Sequence, residues 1–265
     1  MQLSKRLTAL AGLVTAGHRL ADVGTDHGYV PIYLIEQGQI PSAIAMDINQ
    51  GPLDRAREHI RQFGYEAYIE TRLSDGVQGL KVGEADTVLV AGMGGALVQK
   101  ILEAGLSVLE KVPELILQPQ SELYQVRQYL RRRGFWILRE YMVCEDGKYY
   151  PILKVAPERT EEGVQTEAHD TKMGPVAEDT HNGVDGRWAS YTEADYYFGK
   201  VDLQENPQVL LAFVEKSIAV QNHILDGLSR SGGPRSEARE REVAQMMEYL
   251  EECQGQLEKR FARGG

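Results

Sequence analysis

A glycine turn that carries an acid and a histidine is the first stretch of this sequence able to do chemistry. Residues 22–28 read DVGTDHG, with glycines at Gly24 and Gly28. A dinucleotide-binding turn of the form G-x-G-x-x-G would place a pyrophosphate at a helix N-terminus. Asp26 and His27 stand inside this turn instead, and a carboxylate there would repel a pyrophosphate. The turn therefore favours a cationic ligand over a dinucleotide.

Two more acidic turns suit such a ligand. S-adenosylmethionine (SAM) carries a cationic amino group and a sulfonium centre, which acidic residues attract. Asp47 ends the second predicted strand, the usual position of an acid that accepts the ribose hydroxyls of either SAM or NAD. The turn Ser74-Asp75-Gly76 ends the third strand, where an aspartate could accept from the adenine amino group. Each feature also has a structural explanation, a helix N-cap for Asp47 and a common Asp-Gly turn for residues 74–76.

The fourth predicted strand runs into the glycine loop Ala91-Gly92-Met93-Gly94-Gly95. Its glycines would let backbone groups approach both a cofactor and an incoming nucleophile, which fits methyl transfer. The Asn/Asp-Pro-Pro-aromatic sequence that indicates methylation of an exocyclic amino group is missing from this loop. Gln118-Pro119 ends the fifth strand and is predicted to line the far wall of the pocket.

Alternating strands and helices would bring these turns together at one edge of a sheet. The hydrophobic pattern predicts strands at 18–24, 42–48, 68–76, 85–95, 114–120, 135–143 and 148–155, and helices at 3–16, 31–39, 51–64, after residue 95 and at 121–134. We expect Ser121 to be the N-cap of the last helix, Gly134 to end it, and Asp146-Gly147 to form a hairpin turn. The result is an α/β domain with a mostly parallel sheet and a closing antiparallel hairpin, which binds its ligand at the carboxyl ends of the strands.

The C-terminal part of the chain has a different pattern. Residues 156–190 are acidic and without periodicity, so we expect a long loop or partly disordered linker whose end is anchored by Trp188. Residues 191–265 carry two apolar stripes separated by SGGPRS, which predicts a helical hairpin similar to a coiled coil. The stripes are Leu210, Val214, Ser217, Gln221, Ile224 and Leu228, then Val243, Met246, Leu250, Cys253, Leu257 and Phe261. The hairpin would cap the domain of residues 1–155, grip a substrate, or do both.

Composition limits the remaining possibilities. The 265 residues carry a formal net charge of −10, which argues against a general nucleic-acid binder but permits a local basic face. No apolar run of about 18 residues occurs, so no membrane partner is expected. Cys144 and Cys253 show no metal or disulfide spacing, so we expect reduced cysteines, a cytoplasmic protein and no metal. Basic clusters occur at Lys5-Arg6, Arg131–Arg133, Arg235–Arg241 and Lys259–Arg263.

Six segments together resemble a known family. The segments LSKRL, RLADVGTDHGYVPIYL, SDG, AGMGG, LQPQ and YTEADYYFG are similar to those of the bacterial tRNA (adenine-N1)-methyltransferases that modify adenine 22 in the D-loop region. The resemblance runs almost continuously over residues 1–155, resumes at Tyr191 and continues more loosely through the helical hairpin. It implies a Rossmann-like class I SAM-dependent methyltransferase domain followed by a coiled-coil-like helical domain. The 156–190 segment is longer than the family pattern.

The resemblance also implies a role for each matching turn. The loop at Gly24–Gly28 corresponds to the family's cofactor loop, Asp47 to its ribose ligand, Asp75 to its adenine ligand, and Gly92-Met93 to the wall beside the methyl group. With their neighbours, these positions give the predicted cofactor-binding residues Asp22, Gly24, Asp26, His27, Gly28, Asp47, Ile48, Ser74, Asp75, Gly76, Gly92 and Met93.

Methylation of adenine at N1 requires alignment more than a strong base, since N1 has an in-plane lone pair that can attack the methyl group directly. Asp26, His27 and Tyr29 are the predicted catalytic residues. His27 would orient the base or take a proton, and Tyr29 would stack or hydrogen-bond, although packing in the core of the first helix is its alternative. Because N1 takes part in Watson–Crick pairing, the enzyme must reach an unpaired or flipped adenine.

The predicted partner is tRNA, bound through Gln118, Pro119, Arg131, Arg132 and Arg133, with an affinity that falls steeply with salt. For any one basic cluster, a solvated helix face is the structural alternative. Two other functions fit the residues: a SAM-dependent enzyme acting on a small molecule, and a non-catalytic protein that binds SAM or a nucleotide. A monomer is favoured, but the sequence does not fix the oligomeric state.

Overall fold

Strands and helices alternate along the first part of the chain, and the end of the chain is helical. The computed structural model describes residues 1–157, 188–229 and 234–263. The strands are β1 (Leu20–Val23), β2 (Ala43–Asp47), β3 (Ile69–Leu73), β4 (Thr87–Met93), β5 (Glu114–Pro119), β6 (Phe135–Glu145) and β7 (Lys148–Pro157). The helices are α1 (Lys5–Leu13), α2 (Tyr29–Glu36), α3 (Gln50–Phe63), α4 (Gly95–Ala104), α5 (Leu106–Leu109), α6 (Leu123–Arg132), α7 (Glu193–Phe198), α8 (Pro207–Leu228) and α9 (Pro234–Arg263).

Seven strands form one sheet in the order β3-β2-β1-β4-β5-β7-β6. Strands β1 to β5 pair in parallel, and β7 pairs antiparallel with both β5 and β6. The turn between β6 and β7 has Asp146 and Gly147 at φ 49° and 74°, the left-handed backbone that two-residue hairpin turns need. The predicted α/β fold with a mostly parallel sheet and an antiparallel hairpin is confirmed. The edge where β1 to β5 end is called the carboxyl edge below.

Helices cover both faces of the sheet. One face packs against α4, α5 and α6 through buried residues such as Val98 and Leu130. The other face packs against α1, α2 and α3 through residues such as Leu10 and Ile60. All four residues of β1 are buried, as expected for a parallel strand with helices on both sides. The sheet is thus a rigid support for the turns at the carboxyl edge.

The start of α6 differs from the prediction for Ser121. Its hydroxyl accepts from the Gly95 amide at the start of α4 (3.2 Å). Glu122 is the N-cap residue of α6, in left-handed backbone with φ 54°, and its carboxylate accepts from the Ala96 amide (2.8 Å). The prediction that Ser121 caps α6 is therefore wrong, because Ser121 and Glu122 satisfy the free amides of α4 instead. They join the loop after β5 to the loop after β4.

Residues after the sheet pack back onto β6 and α6. Trp188 is 2% exposed, and its indole N–H donates to the Phe135 carbonyl (3.2 Å), which confirms its predicted anchoring role. The predicted linker of residues 156–190 falls mainly on 158–187, outside the described residues. The predicted division into residues 1–155, 156–190 and 191–265 stays a prediction.

Helices α8 and α9 pack against each other as the predicted hairpin, here called the helical arm. The apolar stripes supply its most deeply buried side chains, which are Leu210, Val214, Val243, Leu250, Cys253 and Leu257. Met142 of β6 joins the same cluster, so the arm and the sheet share a core. None of the helices in the described part of the chain is long and apolar enough to cross a membrane.

The arm extends past the carboxyl edge. The Met142 amide, in the middle of β6, donates to Asn206 Oδ1 just before α8 (3.0 Å). Further along α8, Lys216 Nζ donates to the Gly147 carbonyl in the β6–β7 turn (3.2 Å). The rest of α8, residues 217–228, continues beyond this turn for about 18 Å at 1.5 Å per residue. The arm and the predicted chemical residues therefore lie at the same side of the sheet.

Candidate active site

A cleft of about 380 Å³ opens at the carboxyl edge between the ends of β1 and β4 and the start of α1. The predicted residues among those that line it are Asp22, Gly24, Asp26, His27, Gly28, Tyr29 and Gly92. A larger groove of about 710 Å³ lies between α1, β6 and the start of α8, and none of the predicted site residues lines it. The predicted catalytic residues and the glycine turn after β1 thus lie in the smaller cleft.

The glycine turn after β1 has a backbone that other residues would strain. Gly24 and Gly28 have φ 78° and 67°, which is left-handed backbone that glycine adopts at no steric cost. A Cβ at position 24 would also collide with the side-chain methyl of Met93. The Gly24 and Thr25 amides both donate to the Met46 carbonyl (2.8 and 2.9 Å). These contacts fix the turn against β2 and β4, so its side chains keep defined positions.

Asp22 supplies a buried negative charge to the cleft. It is the next-to-last residue of β1, is 8% exposed and lines the cavity. Burial raises the pKa of its carboxyl to about 6, and the nearby charge of Asp47 acts in the same direction. A carboxylate buried without a cation is unfavourable, and a cationic ligand in the cleft would relieve that cost.

Asp26 and His27 form a chain of polar contacts at the mouth of the cleft. Arg55 of α3 pairs with one oxygen of the Asp26 carboxylate. His27 Nε2 lies 3.3 Å from the other oxygen. The side chains of Asp26 and Arg55 are 61% and 49% exposed, so this pair is open to solvent and to an incoming ligand.

The turns after β2 and β3 lie along the same edge but outside the lining of the cavity. The Asn49 amide donates to Asp47 Oδ1 (2.7 Å), and the Ser74 amide donates to the Asp47 carbonyl (2.9 Å). Ser74 Oγ donates to the Gly76 carbonyl (2.9 Å), so this hydroxyl shapes the turn that presents the exposed Asp75. Ile48 is 58% exposed and offers an apolar surface at this end of the edge.

The loop after β4 meets α1 and β5 at the other end of the cleft. Gln118 is fully buried, and its Oε1 accepts from the Gly92 amide and from Arg6 Nη1 (both 3.2 Å). Arg6 also lies over the Tyr150 ring, 5.6 Å from its centroid. Gln118 and Pro119 do not line the cavity. Gln118 instead positions Gly92 and Arg6, and substrate contact by either residue stays a prediction.

Arg131, Arg132 and Arg133 lie far from this cleft. Helix α6 starts beside the carboxyl edge and runs back along the sheet, so the three arginines at its end lie toward the opposite edge. Arg131 Nη1 donates to the Tyr196 hydroxyl (3.0 Å), and Arg133 pairs with Glu103. Their contact with tRNA stays a prediction.

Several residues in or beside the cleft are missing from the sequence-based set, among them the polar residues Arg6, Gln120, Arg55 and His59. Arg6 and Gln120 line the cavity, while Arg55 and His59 contact the Asp26-His27 segment from α3. The last two are four residues apart and so share one helix face, a spacing visible in the sequence. The residues that they contact could not be predicted, because those contacts depend on how α3 packs against the turn after β1. Across the described ranges, no group of three or more His, Cys, Asp or Glu side chains could hold a metal ion.

Comparison with known proteins gives consistent results. The methyltransferase-domain family matches residues 3–153. A Bacillus subtilis tRNA (adenine(22)-N(1))-methyltransferase is 39% identical over 153 residues, which are 58% of this chain and 64% of that protein. The matched segment thus spans somewhat less than two thirds of that relative.

Solved structures extend the similarity into the helical arm. The crystal structure of the B. subtilis m1A22 tRNA methyltransferase aligns with a TM-score of 0.75 at 28% identity, covering 96% of this chain and 99% of that one. A putative tRNA (m1A22) methyltransferase of Streptococcus pneumoniae in complex with S-adenosyl-L-methionine aligns with a TM-score of 0.72 at 28% identity, covering 96% of this chain and 100% of that one.

Proposed function

The chain belongs to the methyltransferase-domain family, and from that premise we propose that it methylates N1 of an adenine in tRNA with SAM as the methyl donor. The observation that carries the proposal is the buried, cleft-lining carboxylate of Asp22 beside the glycine turn. This carboxylate suits the cationic groups of SAM and disfavours the pyrophosphate of a dinucleotide. The relative with bound SAM supports the same donor.

Different residues along the carboxyl edge would bind different groups of SAM. Asp22 would attract its cationic amino group, and Asp47 at the end of β2 would accept from its ribose hydroxyls. Asp75 would accept from its adenine amino group, with the exposed side chain of Ile48 covering the flat ring. Arg6 lines the cleft and would hold the carboxylate of SAM, because a guanidinium pairs well with a carboxylate.

When bound, SAM supplies an electrophilic methyl group. The chain's own contribution is to align the adenine and to stabilise the charge that it gains, since the methylated base is first cationic. Asp26 carries a negative charge at the mouth of the cleft, and His27 lies between this carboxylate and Tyr29. These three residues would face the adenine, with Asp26 accepting from its N6 amino group and His27 orienting the base.

The helical arm supports tRNA as the substrate. It extends past the carboxyl edge, so a large ligand lying on the arm would reach the cleft. The B. subtilis relative is a methyltransferase of adenine 22 in tRNA, and we propose the same position here. A tRNA substrate also implies a cytoplasmic protein.

Methyl transfer to two matched tRNA transcripts tests this function. The protein is incubated with methyl-labelled SAM and an unmodified transcript with adenine at position 22, or the same transcript with guanine there. We expect 1-methyladenosine in the first transcript alone, with a reverse-transcription stop at position 22, because N1 methylation blocks base pairing. Label that enters small molecules from a cell extract but neither transcript would support the small-molecule alternative. SAM binding without transfer to any acceptor would support the non-catalytic one.

A further inference from the structure

The His59 side chain of α3 packs against the proposed catalytic turn. The His59 ring lies 5.1 Å from the His27 ring and 5.4 Å from the Tyr29 ring, measured between centroids, with interplanar angles of 20° and 17°. His27 and Tyr29 themselves lie 5.0 Å apart at 9°. The three rings are therefore nearly parallel, and His59 touches both of the others.

A hydrogen bond fixes the orientation of His59. Its Nδ1 lies 3.1 Å from the backbone carbonyl of His27. A carbonyl oxygen only accepts hydrogen bonds, so Nδ1 must carry the proton and donate. The bond joins α3 to the turn at the residue whose side chain is proposed to meet the adenine.

His27 is held in one tautomer by its surroundings. Its Nε2 faces the Asp26 carboxylate at 3.3 Å, so in the neutral ring the proton belongs on Nε2. Its Nδ1 is buried and has no hydrogen-bond partner among the described residues. A ring flip would exchange Nε2 with the Cε1 carbon and so remove the nitrogen from Asp26, and the rings of His59 and Tyr29 oppose such a flip by packing.

We propose that His59 is a positioning residue for methyl transfer. It holds the His27 ring so that Nε2 faces Asp26 at the mouth of the cleft. Its effect passes through His27, and it does not touch the substrate. The inference rests on the proposed function for its catalytic consequence, but the state of His27 can be measured without tRNA.

Three substitutions separate the two contacts that His59 makes. His59→Ala removes both, His59→Phe keeps a ring without the Nδ1 donor, and His59→Asn keeps a donor near the position of Nδ1 without the ring. Glu58→Ala is the control, because Glu58 is the neighbouring exposed residue on α3 and its carboxylate accepts from Gln62 on the same helix. SAM affinity and thermal unfolding of each variant report whether the fold and the cofactor site persist.

The deciding measurement is the nitrogen NMR spectrum of the imidazoles in the full-length protein, with the His27 signals assigned from His27→Ala. We expect the Nε2–H tautomer of His27 in the wild type and a mixture of tautomers in His59→Ala. With tRNA, kcat of His59→Ala should fall about 10-fold to 50-fold while the Kd for SAM changes less than twofold, and His59→Asn should recover part of the loss.

Unchanged His27 signals and unchanged kcat in His59→Ala would overturn the proposal. So would a loss of kcat matched by an equal loss of SAM affinity, because that would indicate general damage to the site. If the wild type binds SAM but methylates no tRNA, the proposed function fails, and the His27 spectrum still decides whether His59 positions the ring.

Discussion

Two arginine–carboxylate pairs in this protein have the same chemistry and opposite surroundings. Arg127 and Glu140 meet at 2.6 Å with side chains that are each 1% exposed. Arg127 also donates to the Tyr196 and Tyr197 carbonyls, and Glu140 accepts from the Lys200 amide. This pair joins α6, β6 and the segment around α7, where the helical arm meets the sheet.

The Arg55–Asp26 pair at the cleft is about half exposed on both sides. Water competes for both groups, so the pair contributes little to stability, and its partners are free to exchange when a ligand arrives. Burial, rather than the presence of an ion pair, therefore separates a structural role from a functional one in this protein.

Breaking the buried pair should have the largest effect. Glu140→Ala leaves the Arg127 guanidinium buried without its carboxylate, and such a loss costs about 3–5 kcal/mol of unfolding free energy. Urea unfolding of the full chain measures the change. The matched control is Glu66→Ala, which removes the exposed partner of Arg61 and should cost less than about 1 kcal/mol. Equal losses in the two variants would remove the distinction between buried and exposed pairs.

Asp22→Asn should move stability and function in opposite directions. The raised pKa of Asp22 means that its ionised form is disfavoured in the folded protein, so the neutral amide should stabilise the ligand-free protein by about 1–3 kcal/mol at pH 7. The gain should appear as the pH rises from about 4 to about 6 and disappear at lower pH, where the wild-type carboxyl is protonated in both folded and unfolded states.

The same substitution should weaken SAM binding by about 30-fold to 100-fold, or about 2–3 kcal/mol, because the cationic amino group loses its partner. Thermal unfolding and calorimetric titration with SAM give the two numbers. Asp54→Asn on the exposed side of α3 is the control and should change neither. Tighter binding of SAM to Asp22→Asn would contradict the proposed role of this carboxylate.

The affinity of the wild type for SAM should depend on pH in a defined direction. Well above its pKa of about 6 the Asp22 carboxyl is ionised, and affinity should level off. As the pH falls below its pKa of about 6, binding must first remove a proton, so affinity should drop by up to about tenfold per pH unit. Titrations between pH 5 and 8 measure this slope, and Asp22→Asn should abolish it.

Short-range patterns made the sheet and the main cleft residues predictable from the sequence. Asp22, Gly24 and Gly92 lie at or just after the carboxyl ends of β1 and β4, and parallel strands end at one edge, so these residues had to meet. The hairpin turn at Asp146-Gly147 was equally local, since its left-handed backbone favours those residue types.

Contacts between distant segments were not predictable. Ser121 looked like a helix cap because its own helix follows it, but the free amides of α4 lie within its reach in the fold. The partner of Arg127, Glu140, lies in the middle of a strand, where local spacing does not reveal it. The spacing of Arg55 and His59 indicated a shared helix face, but the residues that they contact could not be predicted. In each case the deciding contact depends on how two elements pack.

Arg55→Ala should have the smallest effect on stability and so completes the comparison. Its partner Asp26 stays solvated when the guanidinium is removed, so the unfolding free energy should change by less than about 1 kcal/mol. The kcat/KM for tRNA should fall about 3-fold to 10-fold, because Asp26 loses a contact that orients it toward His27. Arg57→Ala is the matched control, since Arg57 pairs with Asp54 on the same helix and does not face the cleft. A loss of stability as large as that of Glu140→Ala would show that the exposed pair is structural, and it would assign to Asp26 the role that burial assigns to Glu140.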